Sequence, residues 1–278
     1  MPRISRLSGK AVLIGFVFIS LQSFAGTGEK GLPDEKNFPS LLSNSANSPV
    51  LKRTADSIYD LISLGQYGLE RDVFFNAFKG YQYLENKGML NKSNILTICD
   101  YSQSSNNKRL YVIDLLNSRL LYNTYVSHGK NSGNEFATSF SNFNNSNKSS
   151  LGFLVTGSTY KGKAGYCMRF KGVEAGINDH VANRGIVLHG SRFVNEDILS
   201  SRGTIGRSLG CPAVPYGTHF KIIDEIKGGS CFFINSPDQW YAHNSAIINS
   251  NFDLAPAVQL QTTVATTDND LSPAETSK

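Results

Sequence analysis

A cysteine set between a glycine and a proline cannot continue an ordinary helix or strand, and Arg207-Ser208-Leu209-Gly210-Cys211-Pro212 is such a segment. The thiol of Cys211 is therefore expected on a turn. Upstream, the apolar run Gly185-Ile186-Val187-Leu188 ends at His189 and Gly190, so an imidazole emerges where a buried strand should reach the surface. A free thiol with a pKa near 8.5 is only slightly ionised at neutral pH, so a nucleophilic cysteine needs a neighbouring imidazole, a helix N-terminus or both. A thiol and a base at the ends of elements make acyl transfer the leading chemistry.

The elements that must position this pair follow from periodicity. Residues 51–88 have a helical period: Leu51, Ala55, Ile58, Leu61 and Ile62 form one stripe, and Val73, Phe74, Ala77, Phe78, Tyr81 and Leu84 form a second, with Gly88 placed to stop it. Short β-rich runs follow at Ile95 to Cys99, Leu110 to Leu116 and Leu120 to Val126, the last two joined by a turn at Asn117-Ser118. Residues 128–151 are rich in Ser, Asn and Gly and read as a long loop. Strands are expected at Gly152 to Thr156, Gly165 to Phe170, Gly185 to His189 and Cys231 to Ile234, with a helix at His219 to Ile226. Strands and helices do not alternate, so a mainly antiparallel β core with added helices is expected. The implied organisation is a signal over 1–25, a flexible lead over 26–50, a helical extension over 51–90, a β domain over 91–237, and a C-terminal extension over 238–278 that is disordered after about 251.

Residues 1–25 read as a secretory signal, with Arg3, Arg6 and Lys10 ahead of the apolar run Ala11 to Leu21 and a small-x-small end at Ser23-Phe24-Ala25. Export is the expectation, with no membrane span after cleavage. Loss of that segment takes three of 27 Lys and Arg and none of 22 Asp and Glu, leaving 24 against 22. So small a charge balance offers no basic face for nucleic acid. Cys99, Cys167, Cys211 and Cys231 contain no C-x-x-C pair and no close His/Cys cluster, so neither a metal nor a cofactor is called for. Cys99 and Cys231 lie in apolar runs, where a thiol behaves as a small hydrophobe. With Cys211 as a working thiol, the pairing of the other three stays open.

His-Gly followed some twenty residues later by Ser-x-Gly-Cys resembles the signature of the L,D-transpeptidases, the YkuD-like cysteine enzymes of peptidoglycan. The resemblance extends through Phe74-x-x-Ala77-x-x-Gly80-Tyr81, Ser127-His128-Gly129-x-Asn131-Ser132-Gly133, Phe140-Ser141-Asn142, Ser149-Ser150-Leu151-Gly152-Phe153 and Gly206 to Val214, over roughly residues 55 to 235. It implies a β-sandwich core preceded by two helices, and would place the product in a bacterial periplasm or cell envelope, or secrete it. It also implies a thioester between Cys211 and a stem peptide, with His189 as base and acid. The Gly190 carbonyl would orient the imidazole, and backbone N–H groups of Leu209, Gly210 and Cys211 would form an oxyanion hole. Better-studied members carry a second histidine where this chain has Leu209, and Arg or Asn where it has Ala213.

Arg207 and Arg184 are the cations nearest in sequence for binding a substrate carboxylate, against a reading as solvated surface pairs. Ser208 either contacts substrate or stabilises the turn. His128 either faces the cleft or serves its loop, and Trp240 is expected to cover a core edge. The partners implied are peptidoglycan stem peptides, with acylation by carbapenems; oligomeric state is left open. The rival outcomes are L,D-carboxypeptidase activity with water as acceptor, a non-catalytic wall-binding or surface-interaction protein on the same scaffold, and a different cysteine hydrolase or metal site.

Overall fold

A computed structural model describes residues 49–252. The expected signal, residues 26–48 of the flexible lead and the tail after Phe252 lie outside the described residues, while Pro49 and Val50, expected to end that lead, begin the first helix instead. The chain enters through α1 (Pro49–Ile62) and, after one short 3-10 turn, α2 (Arg71–Asn86). The buried face of α1 is Leu51, Thr54, Ala55 and Tyr59, while Leu61, expected in that stripe, is 71% exposed. Tyr59 takes the inward position instead, its hydroxyl donating to the Leu69 carbonyl at 2.6 Å. Arg71 ties the two helices by donating to Asp56 and Asp60. α2 is buried almost all round, since Lys79, Gly80 and Gln82 are covered as well as Phe74, Ala77, Phe78, Tyr81 and Leu84.

Eight strands follow: β1 (Ile95–Asp100), β2 (Leu110–Asp114), β3 (Arg119–Thr124), β4 (Gly152–Gly162), β5 (Gly165–Gly172), β6 (Val187–Ser191), β7 (Ala213–Pro215) and β8 (Cys231–Asn235). They form one sheet in the order β3-β2-β1-β8-β4-β5-β6-β7. Mainly β architecture with two N-terminal helices is thus what the chain adopts. Most neighbours are antiparallel, but β1–β8 and β6–β7 are parallel. The sheet curls until its two ends meet: Ser127, just beyond β3, donates its N–H to the Ala213 carbonyl of β7 at 2.8 Å. Residues 128–151 hold no regular strand, as their composition suggests, yet they cross this seam.

Three further elements are α3 (Glu196–Arg202), α4 (His219–Ile226) and α5 (Gln239–Asn244). The packed body continues past Pro237, where the sequence signals fade. Tyr241 and Ile247 are buried, and the Glu174 carboxylate accepts from the Tyr241 and Ser245 hydroxyls, the Phe153 amide and Asn178 Nδ2. That carboxylate gathers α5, β4 and the 173–178 turn at one buried point. Trp240, by contrast, is 58% exposed and covers no core edge.

The helical layer meets the sheet with no spare room. A Cβ on Gly80 of α2 would lie 2.0 Å from the Phe153 ring, which is itself stacked on Phe233 with centroids 4.3 Å apart. The ring is held from behind, so α2 has to move. Gly80→Ala is expected to lower stability by about 1–3 kcal/mol through overpacking. A denaturant midpoint equal to wild type would refute this contact.

Candidate active site

Three adjacent strands present one row of side chains. On β5 and β6, Cys167 pairs with His189; on β6 and β7, His189 pairs with Ala213, two residues after Cys211. Paired residues share a face of the sheet, and Tyr160 of β4, opposite Cys167, extends the row. Cys211, His189, Cys167 and Tyr160 line one cleft of about 520 Å³, with Leu209, Ser208, Arg207 and Lys163 around it. The fold therefore brings Cys211 and His189, 22 positions apart in sequence, into a single cavity.

His189 is oriented by its own neighbour: Nδ1 lies 3.0 Å from the Gly190 carbonyl. A carbonyl can only accept, so Nδ1 carries the proton in that bond. In the neutral ring this leaves the Nε2 lone pair as acceptor.

The turn carrying Cys211 is tied by one hydroxyl. Ser208 Oγ donates to the Cys211 carbonyl at 2.6 Å and accepts from the Gly210 amide at 3.0 Å. Both bonds lie within the turn, while Ser208 also lines the cleft. It also engages one of the three amides expected to face an oxyanion, whereas those of Leu209 and Cys211 take no part in the backbone hydrogen bonds of the described residues. Gly210 is required twice over: its φ of +124° lies where side chains are disfavoured. A Cβ there would also stand 2.8 Å from the Lys148 carbonyl. Leu209, at the tip, is 67% exposed.

The two arginines occupy different settings. Both terminal nitrogens of Arg184 are committed, Nη1 to the Ser141 carbonyl and Ser150 Oγ, Nη2 to Ser146 Oγ and the Lys148 carbonyl. Arg184 braces the 141–150 loop that backs Gly210, and a carboxylate would have to displace those bonds. Arg207 is on the cleft rim and uses Nη1 alone, toward the carbonyls of Lys130 and Gly133 and Asn134 Oδ1. Arg184 is half-buried in that brace, whereas Arg207 is exposed at the surface.

Cys167 and Lys163 were not legible as site residues, because only cross-strand register and the β4–β5 hairpin bring them to the cleft. All four cysteines are free thiols, with Cys99, Cys167 and Cys231 buried. Among the described residues no group of three or more His, Cys, Asp and Glu is gathered to hold a metal, and no helix is long and apolar enough to cross a membrane.

The half-buried Cys211 thiol is pushed above its ordinary pKa by burial and by the nearby Cys167, against the opposing pull of the Val187 amide and Arg184. An upward shift favours the protonated thiol at neutral pH, so a nucleophilic role for this sulfur would need a base to take its proton. Because the shift is upward, the thiolate fraction rises late. The rate of Cys211 alkylation by iodoacetamide is accordingly expected to keep climbing beyond pH 9. A plateau reached by pH 7 would contradict this electrostatic picture.

A family model described as the L,D-transpeptidase catalytic domain matches residues 65–235, more than half of the 278-residue chain. No curated protein matches the sequence. Among solved structures, an L,D-transpeptidase from Mycobacterium smegmatis is 12% identical, with 51% of this chain and 59% of that chain covered and a TM-score of 0.33. The chain thus spans less than two thirds of that relative's length. An L,D-transpeptidase of Xylanimonas cellulosilytica, residues 123–326, is 13% identical over 72% of this chain and 100% of its own, at a TM-score of 0.31. One from Stackebrandtia nassauensis is 14% identical over 67% and 89%, also at 0.31. On the sequence match over residues 65–235, the chain belongs to the L,D-transpeptidase catalytic-domain family.

Proposed function

We propose that this protein is an exported L,D-transpeptidase in which Cys211 forms a thioester with a peptidoglycan stem peptide and passes the acyl group to an amine. The observation that carries the reading is the shared cleft of Cys211 and His189, with Nδ1 of His189 engaged by Gly190 and Nε2 left as acceptor.

In the first half-reaction Nε2 takes the Sγ proton as sulfur attacks the carbonyl carbon at the L-centre of the third stem residue. The carbonyl oxygen becomes an oxyanion beside the Leu209 and Cys211 amides, where each well-aimed donor is worth about 3–4 kcal/mol. The C–N bond then breaks, the leaving D-alanine amine takes the proton from Nε2, and a thioester remains. In the second half-reaction an acceptor amine attacks the thioester and gives its proton to Nε2, and the C–S bond breaks with the proton returned to sulfur. No nucleotide is consumed, because the thioester conserves the energy of the amide that was broken. Such acid–base service is worth on the order of 10²–10⁴ in rate. Water in place of the amine gives carboxypeptidase activity.

Incubation with a carbapenem, a reactive acyl donor, tests the reading by intact mass. Wild type is expected to gain one covalent adduct, Cys211→Ala none, and His189→Ala to acylate at least a hundredfold more slowly at neutral pH. An unmodified wild-type thiol would reduce the protein to a silent scaffold that binds wall material, and near-native rates in His189→Ala would remove the histidine from its role. Expression with residues 1–25 intact is expected to yield an envelope protein whose N-terminus follows Ala25. Retention of the full N-terminus in the cytoplasm would refute export.

A further inference from the structure

Behind the cleft lies a buried cation whose hydrogen bonds go to no carboxylate. Arg109 is fully buried; Nε and Nη2 donate to the Val126 carbonyl at 3.2 and 3.0 Å, Nη1 donates to the Gln103 carbonyl at 2.7 Å, and Nη2 also reaches His128 Nδ1 at 2.8 Å. The Tyr101 ring covers the guanidinium, 4.8 Å from its centroid. A buried charge is costly unless its bonds organise what surrounds it.

What they organise is His128. A guanidinium only donates, so Nδ1 must accept and the ring proton sits on Nε2, 3.3 Å from the Gly133 carbonyl it is donated to. The imidazole thus spans its own loop, and it stays neutral, since burial and the Arg109 charge hold its pKa down to about 4. The main chain beside that ring holds the nucleophile's turn. The His128 carbonyl accepts the Ser208 amide at 2.9 Å, and the Lys130 amide donates to the Ser208 carbonyl at 2.8 Å. Both backbone groups of Ser208 are gripped by a segment whose shape the His128 ring sets, and Arg207 adds a bond to the same Gly133 carbonyl at 2.9 Å.

We propose that Arg109 and His128 are positioning residues for acyl transfer: together they fix the 128–133 loop, and through Ser208 they fix the Leu209 and Cys211 amides relative to the thiol. The inference rests on the acyl-transfer function proposed above. It concerns the oxyanion and not the nucleophile, which separates it from a general loss of structure.

Two reactions of Cys211 draw that line. Acylation by a carbapenem passes through an oxyanion and needs aimed amides, whereas alkylation by iodoacetamide at a saturated carbon needs only the thiolate. His128→Leu is expected to slow acylation about ten- to a hundredfold while alkylation changes less than about threefold. His128→Asn, which retains an acceptor for Arg109, is expected to recover part of the loss. Unchanged acylation, or acylation and alkylation falling together, would overturn the proposal. Amide hydrogen exchange gives a second measurement on folded protein: in His128→Asn the Ser208 amide is expected to exchange faster while Leu188 in the sheet keeps its protection, and unchanged Ser208 exchange would overturn the proposal. If wild type takes no acyl group, the functional reading fails, and Ser208 exchange still decides whether His128 positions the turn.

Discussion

The hydrogen bond from the Ser127 amide to the Ala213 carbonyl closes a sheet that would otherwise end in two open edges. Everything distinctive about the cleft depends on that seam. It sets the 128–151 segment, which has little apolar content of its own, against the turn that carries Cys211. The close approach of Gly210 to the Lys148 backbone, the grip on Ser208 from residues 128–130 and the Arg184 brace all lie along it. A long polar loop keeps one shape here because its hydrogen bonds are satisfied by cations and backbone, not because it buries a core of its own.

The electrostatics of the cleft favour restraint over readiness. Burial favours the protonated Cys211 thiol, which also reaches the Gly185 carbonyl at 3.8 Å, while the Val187 amide and the committed Arg184 pull in the opposite direction. A thiolate standing free would be exposed to every passing electrophile and oxidant. In the proposed chemistry, ionisation coupled to His189, whose Nδ1 the Gly190 carbonyl engages, would confine reactivity to encounters in which a carbonyl carbon is already in place.

Much of this was legible in the sequence, and what was not has physical reasons. The α4 helix falls on the expected residues, and β1, β4, β5 and β8 start where their β-rich runs begin, because each carries a clean apolar period or run. Leu61 was misassigned because Tyr59 offers both a ring to the core and a hydroxyl to the Leu69 carbonyl, a combination that a count of aliphatic positions misses. The three-residue β7 and the short α3 and α5 are too brief for periodicity to show, and Tyr241 is drawn inward by a carboxylate far away in sequence. Cys211 and His189 stood out by type and neighbourhood. His128 was visible as a candidate with two readings, whereas Cys167 and Arg109 gained their places only through register and burial, which no spacing rule encodes.

The placement of β8 bears on when the cleft comes into being. This strand is synthesised after every other, yet it lies in the middle of the sheet, parallel to β1 on one side and antiparallel to β4 on the other. Until it arrives, β3-β2-β1 and β4-β5-β6-β7 are two half-sheets with no strand between them. Pairings so distant in sequence form late, because the intervening chain must first be ordered. A ribosome that has released only the first 230 residues has therefore made Cys211 and His189, and the β6–β7 pairing between them, before the strand that joins the two half-sheets.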